Sequence, residues 1–329
     1  MRAARARAHT NIALVKYWGK REGAPDQNLP AVGSLSLTLA ELYTVTTVAP
    51  GAADQFELDG APQAGERSAK VFRHLDRVWK TRGRTTVRPP CRVSSTNHVP
   101  TAAGLASSAS GFAALTLAAS AAFGVDGDRS VLSTLARRGS GSAARSLWGG
   151  FVRLERGSRA DGSDCVARPL FAASHWDLRL VVARAAQGAK AVGSTAGMNR
   201  CRDTSPYYRA WVETAEADLA LAERALAARD FSRLGEVMEH SCFKMHACML
   251  ASVPPLVYWN PTTLALVQAV SQARARGLLG YITSDAGPHI KILCRTADAP
   301  ALRQVALSVP GTVDATIYRP GPDAVLETP

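Results

Sequence analysis

The glycine- and serine-rich stretch PTAAGLASSASG, residues 100–111, is a segment whose residue types could bind an anion. Backbone N–H groups approach a phosphate closely where side chains are small, and a following helix points the positive end of its dipole at the anion. Ser107 and Ser108 add hydroxyl groups that could donate to a phosphate or reach a metal ion. The spacing matches neither a Walker A loop nor the dinucleotide fingerprint, and a tight turn before an alanine-rich packing helix fits equally well.

The segment KYWGK places two lysines and an aromatic hydroxyl close together: Lys16, Tyr17, Trp18 and Lys20. On a strand, Lys16 and Lys20 point to the same face, with Trp18 between them. Such a face suits a phosphorylated ligand. A solvated basic strand end is the structural alternative.

The segment GSGSAAR has the form of a second anion site. Ser140, Gly141 and Ser142 supply donors, and Arg145, one turn into the helix expected to follow, can meet a phosphate with two parallel hydrogen bonds. An ordinary helix cap with an exposed arginine is the alternative.

Two polar turns complete the set of candidates. VGSTAGM offers Ser194 and Thr195 as hydroxyl donors, or forms an ordinary turn. SDAGPH carries Asp285, which from spacing alone is most simply a turn former.

These segments together resemble a known family. The pattern P-x-x-x-G-L-x-S-S-A resembles the ATP-binding motif of the GHMP kinase superfamily, which includes galacto-, homoserine, mevalonate and phosphomevalonate kinases. Most of those kinases have Gly where this chain has Ala106, and PTAAGLASSA is instead similar to the diphosphomevalonate decarboxylase family within that superfamily. NIALVKYWGK, RRGSGSAARSLWGGF and SDAGPH agree in the family's order, so the resemblance covers nearly the whole chain.

The resemblance implies an ATP-dependent decarboxylase of the mevalonate route to isoprenoids. Such an enzyme phosphorylates the tertiary hydroxyl of mevalonate diphosphate with MgATP, after which phosphate and carbon dioxide leave and isopentenyl diphosphate remains. The chemistry requires a bound diphosphate, bound ATP phosphates, an oriented alcohol and stabilised developing charge. The implied cofactors are ATP and Mg²⁺.

The resemblance also implies catalytic roles for four residues. The residue matching Asp285 lies beside the tertiary hydroxyl, as a base or as an electrostatic positioner. Lys16 matches a lysine near the reacting centre, Ser108 a serine next to the transferred phosphoryl group, and Arg145 an arginine that holds the substrate carboxylate or diphosphate. The family usually has Asn where this chain has His289, which leaves the contacts of that turn open.

Binding residues follow from the same matches. The substrate-binding set is Tyr17, Trp18, Lys20, Ser140, Gly141, Ser142, Arg145, Ser194 and Thr195. The nucleotide-binding set is Arg67, Asn97, Pro100, Ala103, Gly104, Leu105, Ala106, Ser107 and Ser108, with the division of labour between the two serines left open. No protein ligand is assigned to the metal, because Mg²⁺ can be held mainly by ATP oxygens and water.

The secondary-structure patterns must position these residues. Alternating apolar and polar residues predict strands around 11–17, 34–49 and 176–185, and helical spacing predicts helices over 66–82, 113–123, 130–138, 206–229, 231–250 and 262–276. We expect an α/β (α+β) fold of the two-domain GHMP-kinase-like type, with the active site in the cleft between domains. The predicted domains are an ATP-binding domain over 1–188 and an α+β domain over 189–329.

Composition limits the alternatives. The chain has 329 residues, 47% of them hydrophobic and 20% charged, as in a globular protein with a sizeable core. Its longest apolar run is shorter than a membrane span. Six cysteines without C-x-x-C pairs, and an arginine-rich start that runs directly into NIALVKYWGK, favour a cytoplasmic protein with reduced thiols. His240, Cys242, His246 and Cys248 do not converge on one helix face, which argues against a metal site there.

The formal net charge of +12 suits phosphorylated metabolites, nucleic acid or an anionic membrane. Scattered basic residues without an RNA-binding signature favour a small-molecule substrate, with no nucleic acid or membrane partner, and the resemblance implies a homodimer. Two alternatives stay open: a relative acting on a mevalonate monophosphate or on unphosphorylated mevalonate, and a basic nucleic-acid-binding module.

Overall fold

The computed structural model describes residues 1–22, 25–81, 83–99, 107–125, 127–186 and 192–328. Within these ranges the chain forms two β-sheets with helices packed against them, which confirms the expected mixed α/β fold class. None of the described helices is both long enough and apolar enough to cross a membrane.

The first sheet is built mainly from the N-terminal half. Its described strands follow the order β12-β1-β2-β5-β3-β4, and β6 pairs with both β2 and β7. Their bounds are β1 (Ala4–Val15), β2 (Ser34–Pro50), β3 (Gln55–Leu58), β4 (Ala61–Pro62), β5 (Cys91–His98), β6 (Phe151–Leu154), β7 (Ala167–Phe171) and β12 (Val325–Glu327).

Strand β1 begins earlier than the sequence predicts and ends sooner. Ala4, Ala6 and Ala8 are buried, while Arg5 and Arg7 alternate with them and are partly exposed, so the arginine-rich start is an amphipathic strand. The strand ends at Val15, so Lys16 to Lys20 do not form the predicted strand end. Gly19 has φ +98, a backbone conformation that favours glycine.

Three helices and a 3-10 helix cover the first sheet: α1 (Gly65–Lys80), α2 (Ser107–Phe123), α3 (Arg129–Gly139) and the 3-10 helix Gly141–Leu147. Helix α2 is rich in alanine, so its backbone can approach β1 and β2 closely. Its Ser110 hydroxyl is hydrogen-bonded to the Thr44 hydroxyl at 2.8 Å. The helix begins at Ser107 rather than at Ala113 as predicted, so both candidate serines lie in its first turn.

The second sheet is antiparallel and has the strand order β11-β8-β10-β9. Its strands are β8 (Leu178–Ala185), β9 (Gly280–Ser284), β10 (Ile290–Arg295) and β11 (Thr312–Tyr318). The accompanying helices are α4 (Ser194–Thr204), α5 (Tyr208–Ala228), α6 (Phe231–Leu250), α7 (Pro261–Ala275) and α8 (Ala299–Leu307). Helix α4 replaces the turn that the Gly/Ser-rich segment VGSTAGM suggested.

The two sheets share buried side chains. One apolar cluster contains Leu35 of β2, Leu180 of β8 and Leu234 of α6. Strand β8 lies before residue 188 but pairs within the second sheet. Strand β12 lies after residue 188 but pairs with β1 in the first sheet. The division at residue 188 stays a prediction, and sheet membership shows that it does not separate the strands of the two sheets.

Candidate active site

A cavity of about 600 Å³ lies between the end of β1, the 3-10 helix Gly141–Leu147, α4 and the turn after β9. It brings together residues from all the segments that the sequence singled out. The predicted residues that line it are Tyr17, Trp18, Lys20, Ser108, Ser140, Gly141, Ser142, Arg145, Ser194, Thr195 and Asp285.

Asp285 lies in the turn that joins β9 to β10. Its Oδ1 accepts a hydrogen bond from Lys16 Nζ at 2.8 Å, and its Oδ2 lies 2.9 Å from Lys291 Nζ. The two lysine side chains are 1% and 2% exposed, whereas 35% of the Asp285 side chain is exposed, where it lines the cavity. Burial by itself raises the pKa of the Asp285 carboxyl, but Lys16 and Lys291 together lower it well below its usual range.

The turn around Asp285 is fixed by its neighbours. The Ser284 hydroxyl donates to the carbonyl groups of Gly287 at 3.1 Å and His289 at 3.2 Å. The Ser284 backbone N–H donates to the Cys242 sulfur of α6 at 3.1 Å. Helix α6 also anchors the other side of the ion pair, because the Ser241 hydroxyl accepts from the Lys16 backbone N–H at 3.0 Å.

Arg145 is buried at the cavity wall, 2% exposed. Its Nε donates to Asn11 Oδ1 at 3.2 Å, and its Nη1 donates to the Ser34 hydroxyl. Burial lowers the pKa of Arg145 to about 10, so the guanidinium is still a cation at neutral pH. It lies over the Tyr17 ring, with its central carbon 5.6 Å from the ring centroid.

Asn28 connects the KYWGK segment to α3. Its side-chain oxygen accepts from Lys20 Nζ at 2.7 Å, and its Nδ2 donates to the Arg138 carbonyl at 2.9 Å. Lys20 Nζ also donates to the Thr195 hydroxyl at 3.3 Å, in the first turn of α4. Asn28 has φ +49, in the left-handed region that asparagine tolerates better than most residues.

Three serine hydroxyls meet where α2 begins and α3 ends. Ser140 Oγ donates to Ser108 Oγ at 3.3 Å and is within 3.3 Å of Ser142 Oγ. Because Ser108 lies in the first turn of α2, these hydroxyls surround the positive end of that helix dipole. The arrangement can donate several hydrogen bonds to one anion.

The cavity wall also contains cations that the sequence analysis missed: Lys70, Arg73 and Arg77 of α1, and Arg138 at the end of α3. The pKa of Lys70 is lowered by burial and then by repulsion from Arg73 and Arg77. The pKa of Lys20 is lowered by burial and then by Lys70. The carboxylates among the lining residues are those of Asp26, Glu66 and Asp285, so positive charge predominates. The sequence signal that could have identified the cations of α1 is the set of basic residues between its apolar positions.

Several predicted residues lie elsewhere. Arg67 is exposed one turn before Lys70 and donates to Gln63 Oε1 at 2.9 Å, so the structure does not bring it to the cavity. The Asn97 side chain accepts from Thr44 at 2.9 Å and is likewise absent from the lining. Ser107 is exposed beside Ser108, and the cavity lining includes Ser108 but not Ser107.

The remaining predicted nucleotide-binding residues lie outside the described residues: Pro100, Ala103, Gly104, Leu105 and Ala106. In the described part of the chain, no group of three or more His, Cys, Asp or Glu side chains could hold a metal ion. Cationic side chains, hydroxyls and a helix N-terminus are the donors that nucleotide and substrate phosphates need, so the chemistry of the lining fits phosphate ligands.

The two sheets and this cationic cavity define a two-domain α/β protein with a GHMP-kinase-like fold. A family model of the diphosphomevalonate decarboxylase-like N-terminal domain matches residues 8–167, and one of the mevalonate 5-diphosphate decarboxylase C-terminal domain matches residues 180–318. The chain belongs to the diphosphomevalonate decarboxylase family.

Individual relatives agree along most of their length. The diphosphomevalonate decarboxylase of Gibberella zeae is 37% identical over 311 residues, which cover 89% of this chain and 81% of that protein. The structure of mevalonate diphosphate decarboxylase from Staphylococcus aureus has a TM-score of 0.93 and 36% identity, covering 99% of this chain and 98% of that one. A structure of MDDEF in complex with MVAPP, AMPPCP and magnesium has a TM-score of 0.90 and 40% identity, covering 99% of each chain.

Proposed function

We propose that this protein catalyses the ATP-dependent decarboxylation of mevalonate 5-diphosphate to isopentenyl diphosphate, with release of ADP, phosphate and carbon dioxide. The observation that supports it most directly is the carboxylate of Asp285, held between two buried ammonium groups where it lines a cavity with a predominantly cationic wall. A polyanionic substrate relieves the repulsion among those cations, and the Asp285 carboxylate can accept a hydrogen bond from an alcohol.

The cavity wall has two regions that suit two phosphorylated ligands. We assign the substrate diphosphate to the region of Tyr17, Lys20, Thr195 and the serines of the 139–142 turn, where lysine, hydroxyl and backbone donors converge. We assign the ATP phosphates to the N-terminus of α2, beside the cations of α1. Mg²⁺, when bound, would neutralise charge on the transferred phosphoryl group, and it would be held mainly through ATP oxygens and water.

The proposed reaction has two stages. In the first, Asp285 orients the tertiary hydroxyl; the new O–P bond forms as the bond between the γ-phosphorus and the β,γ-bridging oxygen breaks, giving ADP. In the second, the C–O bond to phosphate breaks and the C–C bond to the carboxylate supplies the electrons of the new C=C bond, so carbon dioxide leaves. Arg145, fixed by Asn11 and Ser34, is placed to hold the substrate carboxylate or diphosphate.

A coupled assay for ADP and carbon dioxide tests this proposal by comparing mevalonate 5-phosphate with mevalonate 5-diphosphate. We expect equal amounts of ADP and carbon dioxide, with a much higher kcat/KM for the diphosphate. Equal or better turnover of the monophosphate would contradict the substrate assignment. ADP without carbon dioxide would instead identify a kinase.

A cytoplasmic location and a homodimeric state belong to the same proposal. The six cysteines are free and buried, which suits a reducing compartment. Light scattering of the purified protein tests the homodimer, for which the expected mass is twice that of the 34.8 kDa chain.

A further inference from the structure

Lys291 is the one charged residue among the buried positions of β10. It lies in β10 between Ile290 and Ile292, both fully buried, and is itself 2% exposed. Removing an ammonium group from water is costly unless a counter-charge and hydrogen bonds replace the solvent. Here Lys291 Nζ lies 2.9 Å from Asp285 Oδ2 and donates to the His289 carbonyl at 3.5 Å.

The groups that face Asp285 come from several elements. Lys16, at the end of β1, and Lys291, in β10, are in direct contact with it through different carboxylate oxygens. Arg145 of the 3-10 helix is a third cation within electrostatic range. From α6, burial raises the pKa of the Cys242 thiol and lowers the pKa of His246 to about 3, so both are neutral near pH 7.

The two lysines hold the carboxylate from different sides. Each oxygen already accepts one strong, charge-assisted hydrogen bond, which fixes the plane of the carboxylate and leaves lone pairs free toward the cavity. With one lysine alone, the carboxylate could rotate about χ2, since that torsion is broad. The second ammonium group therefore removes a rotational freedom that the first one leaves.

Building on the proposed function, we propose that Lys291 is a positioning residue for the phosphoryl-transfer step: it fixes the orientation of Asp285 opposite Lys16 and keeps it ionised. Asp285 then accepts the hydrogen bond of the substrate's tertiary hydroxyl in one geometry. The hydroxyl proton stays on its oxygen until the O–P bond forms, and it then passes to an oxygen of the transferred phosphoryl group. A loose transfer of this kind needs little deprotonation early on.

The test compares Lys291→Met with wild type and with Lys244→Met. Lys244 is a matched control, because its Nζ lies 2.6 Å from Asp218 of α5, in a lysine–aspartate pair outside the cavity lining. In Lys291→Met we expect kcat to fall about 100-fold or more, while the KM for ATP changes less than about threefold. The KM for the diphosphate substrate should also change less than about threefold, so that the loss falls on kcat, because the proposed role belongs to the phosphoryl-transfer step. Lys244→Met should keep the wild-type kcat and both KM values.

The variant Lys291→Arg distinguishes the effect of losing the positive charge from the effect of a disturbed fold. It keeps the positive charge beside Asp285, so it should recover about tenfold or more of the kcat lost in Lys291→Met while both KM values stay near wild type. A kcat within about threefold of wild type in a folded Lys291→Met, or no recovery of kcat in a folded Lys291→Arg, overturns the inference. Failure of the wild type itself to release ADP and carbon dioxide overturns the proposed function instead.

Discussion

Arg145 is held in place before any ligand arrives. Its Nε and Nη1 donate to Asn11 and Ser34, and Asn11 is in turn fixed because its Nδ2 donates to the Ser146 hydroxyl at 2.7 Å. A planar group fixed in this way loses little further entropy when it binds a carboxylate or phosphate.

We expect Arg145→Lys to raise the KM for the diphosphate substrate about 10- to 100-fold and to lower kcat, since one ammonium group cannot replace the paired donors of the guanidinium. Steady-state kinetics at saturating ATP measure both effects. Arg153→Lys is the matched control, because Arg153 makes its ion pairs with glutamates outside the cavity lining and should leave KM unchanged. A KM near the wild-type value in Arg145→Lys would remove this residue from substrate binding.

At the scale of elements, helix α6 supports the reacting groups without lining much of the cavity. It contacts Lys16 through Ser241 and the Asp285 turn through Cys242. Its close approach to β9 depends on Gly235, because a Cβ at that position would lie 2.1 Å from Cγ of the Tyr281 ring. A change in how α6 packs would therefore reach both members of the ion pair.

We expect Gly235→Ala to destabilise the protein by about 1–3 kcal/mol, through overpacking against Tyr281. Gly111→Ala, inside α2, provides the contrast: a Cβ there meets nothing within 4 Å. That change should stabilise by about 0.5–1 kcal/mol, through helix propensity alone. Urea unfolding of both variants checks the pair, and shifts of the same sign would refute the packing argument.

The local motifs were readable from the sequence because each carries its chemistry within a few consecutive residues. The resemblance carried by KYWGK, GSGSAAR and SDAGPH assigned Tyr17, Arg145 and Asp285 to one site, and all three line the same cavity. Lys291 and the cations of α1 contribute through tertiary contacts, and no local spacing links them to that site. Helix α4 was missed because glycine and threonine near its start have low helix propensity, which tertiary packing overrides.

At the scale of the whole molecule, two of the buried histidines, His74 and His246, lower stability in acid. His74 of α1 is hydrogen-bonded to the Thr116 hydroxyl at 2.8 Å, and the His246 ring of α6 lies 4.2 Å from the Trp259 ring, tilted by 32°. Burial, assisted by nearby cations, lowers the pKa of each to about 3, from 6.5. Above pH 7 both are neutral in the folded and unfolded chains and contribute nothing to pH dependence.

Below about pH 6.5 these histidines bind protons in the unfolded chain but stay neutral in the folded chain. The free energy of unfolding therefore falls as the pH falls toward 3. We expect each histidine to contribute a loss on the order of 1 kcal/mol per pH unit. Thermal unfolding between about pH 7.5 and 5 should show a flatter slope for His74→Asn than for wild type. His240→Asn, at an exposed position of the same helix as His246, should keep the wild-type slope. An unchanged slope in His74→Asn would contradict the assignment.

Strand β12 pairs with β1, and Glu327 forms ion pairs with Arg5 at 3.0 Å and with Arg7 at 2.6 Å. These partners are more than 300 residues apart in the sequence, so Glu327 is synthesised tens of seconds after the two arginines at ordinary rates of translation. During that interval β1 presents an open hydrogen-bonding edge, the kind of surface that recruits a strand from another nascent chain. Arg5 and Arg7 alternate along that edge, and repulsion between the arginines of two chains disfavours pairing of one β1 with another. Once β12 is synthesised, Glu327 neutralises them.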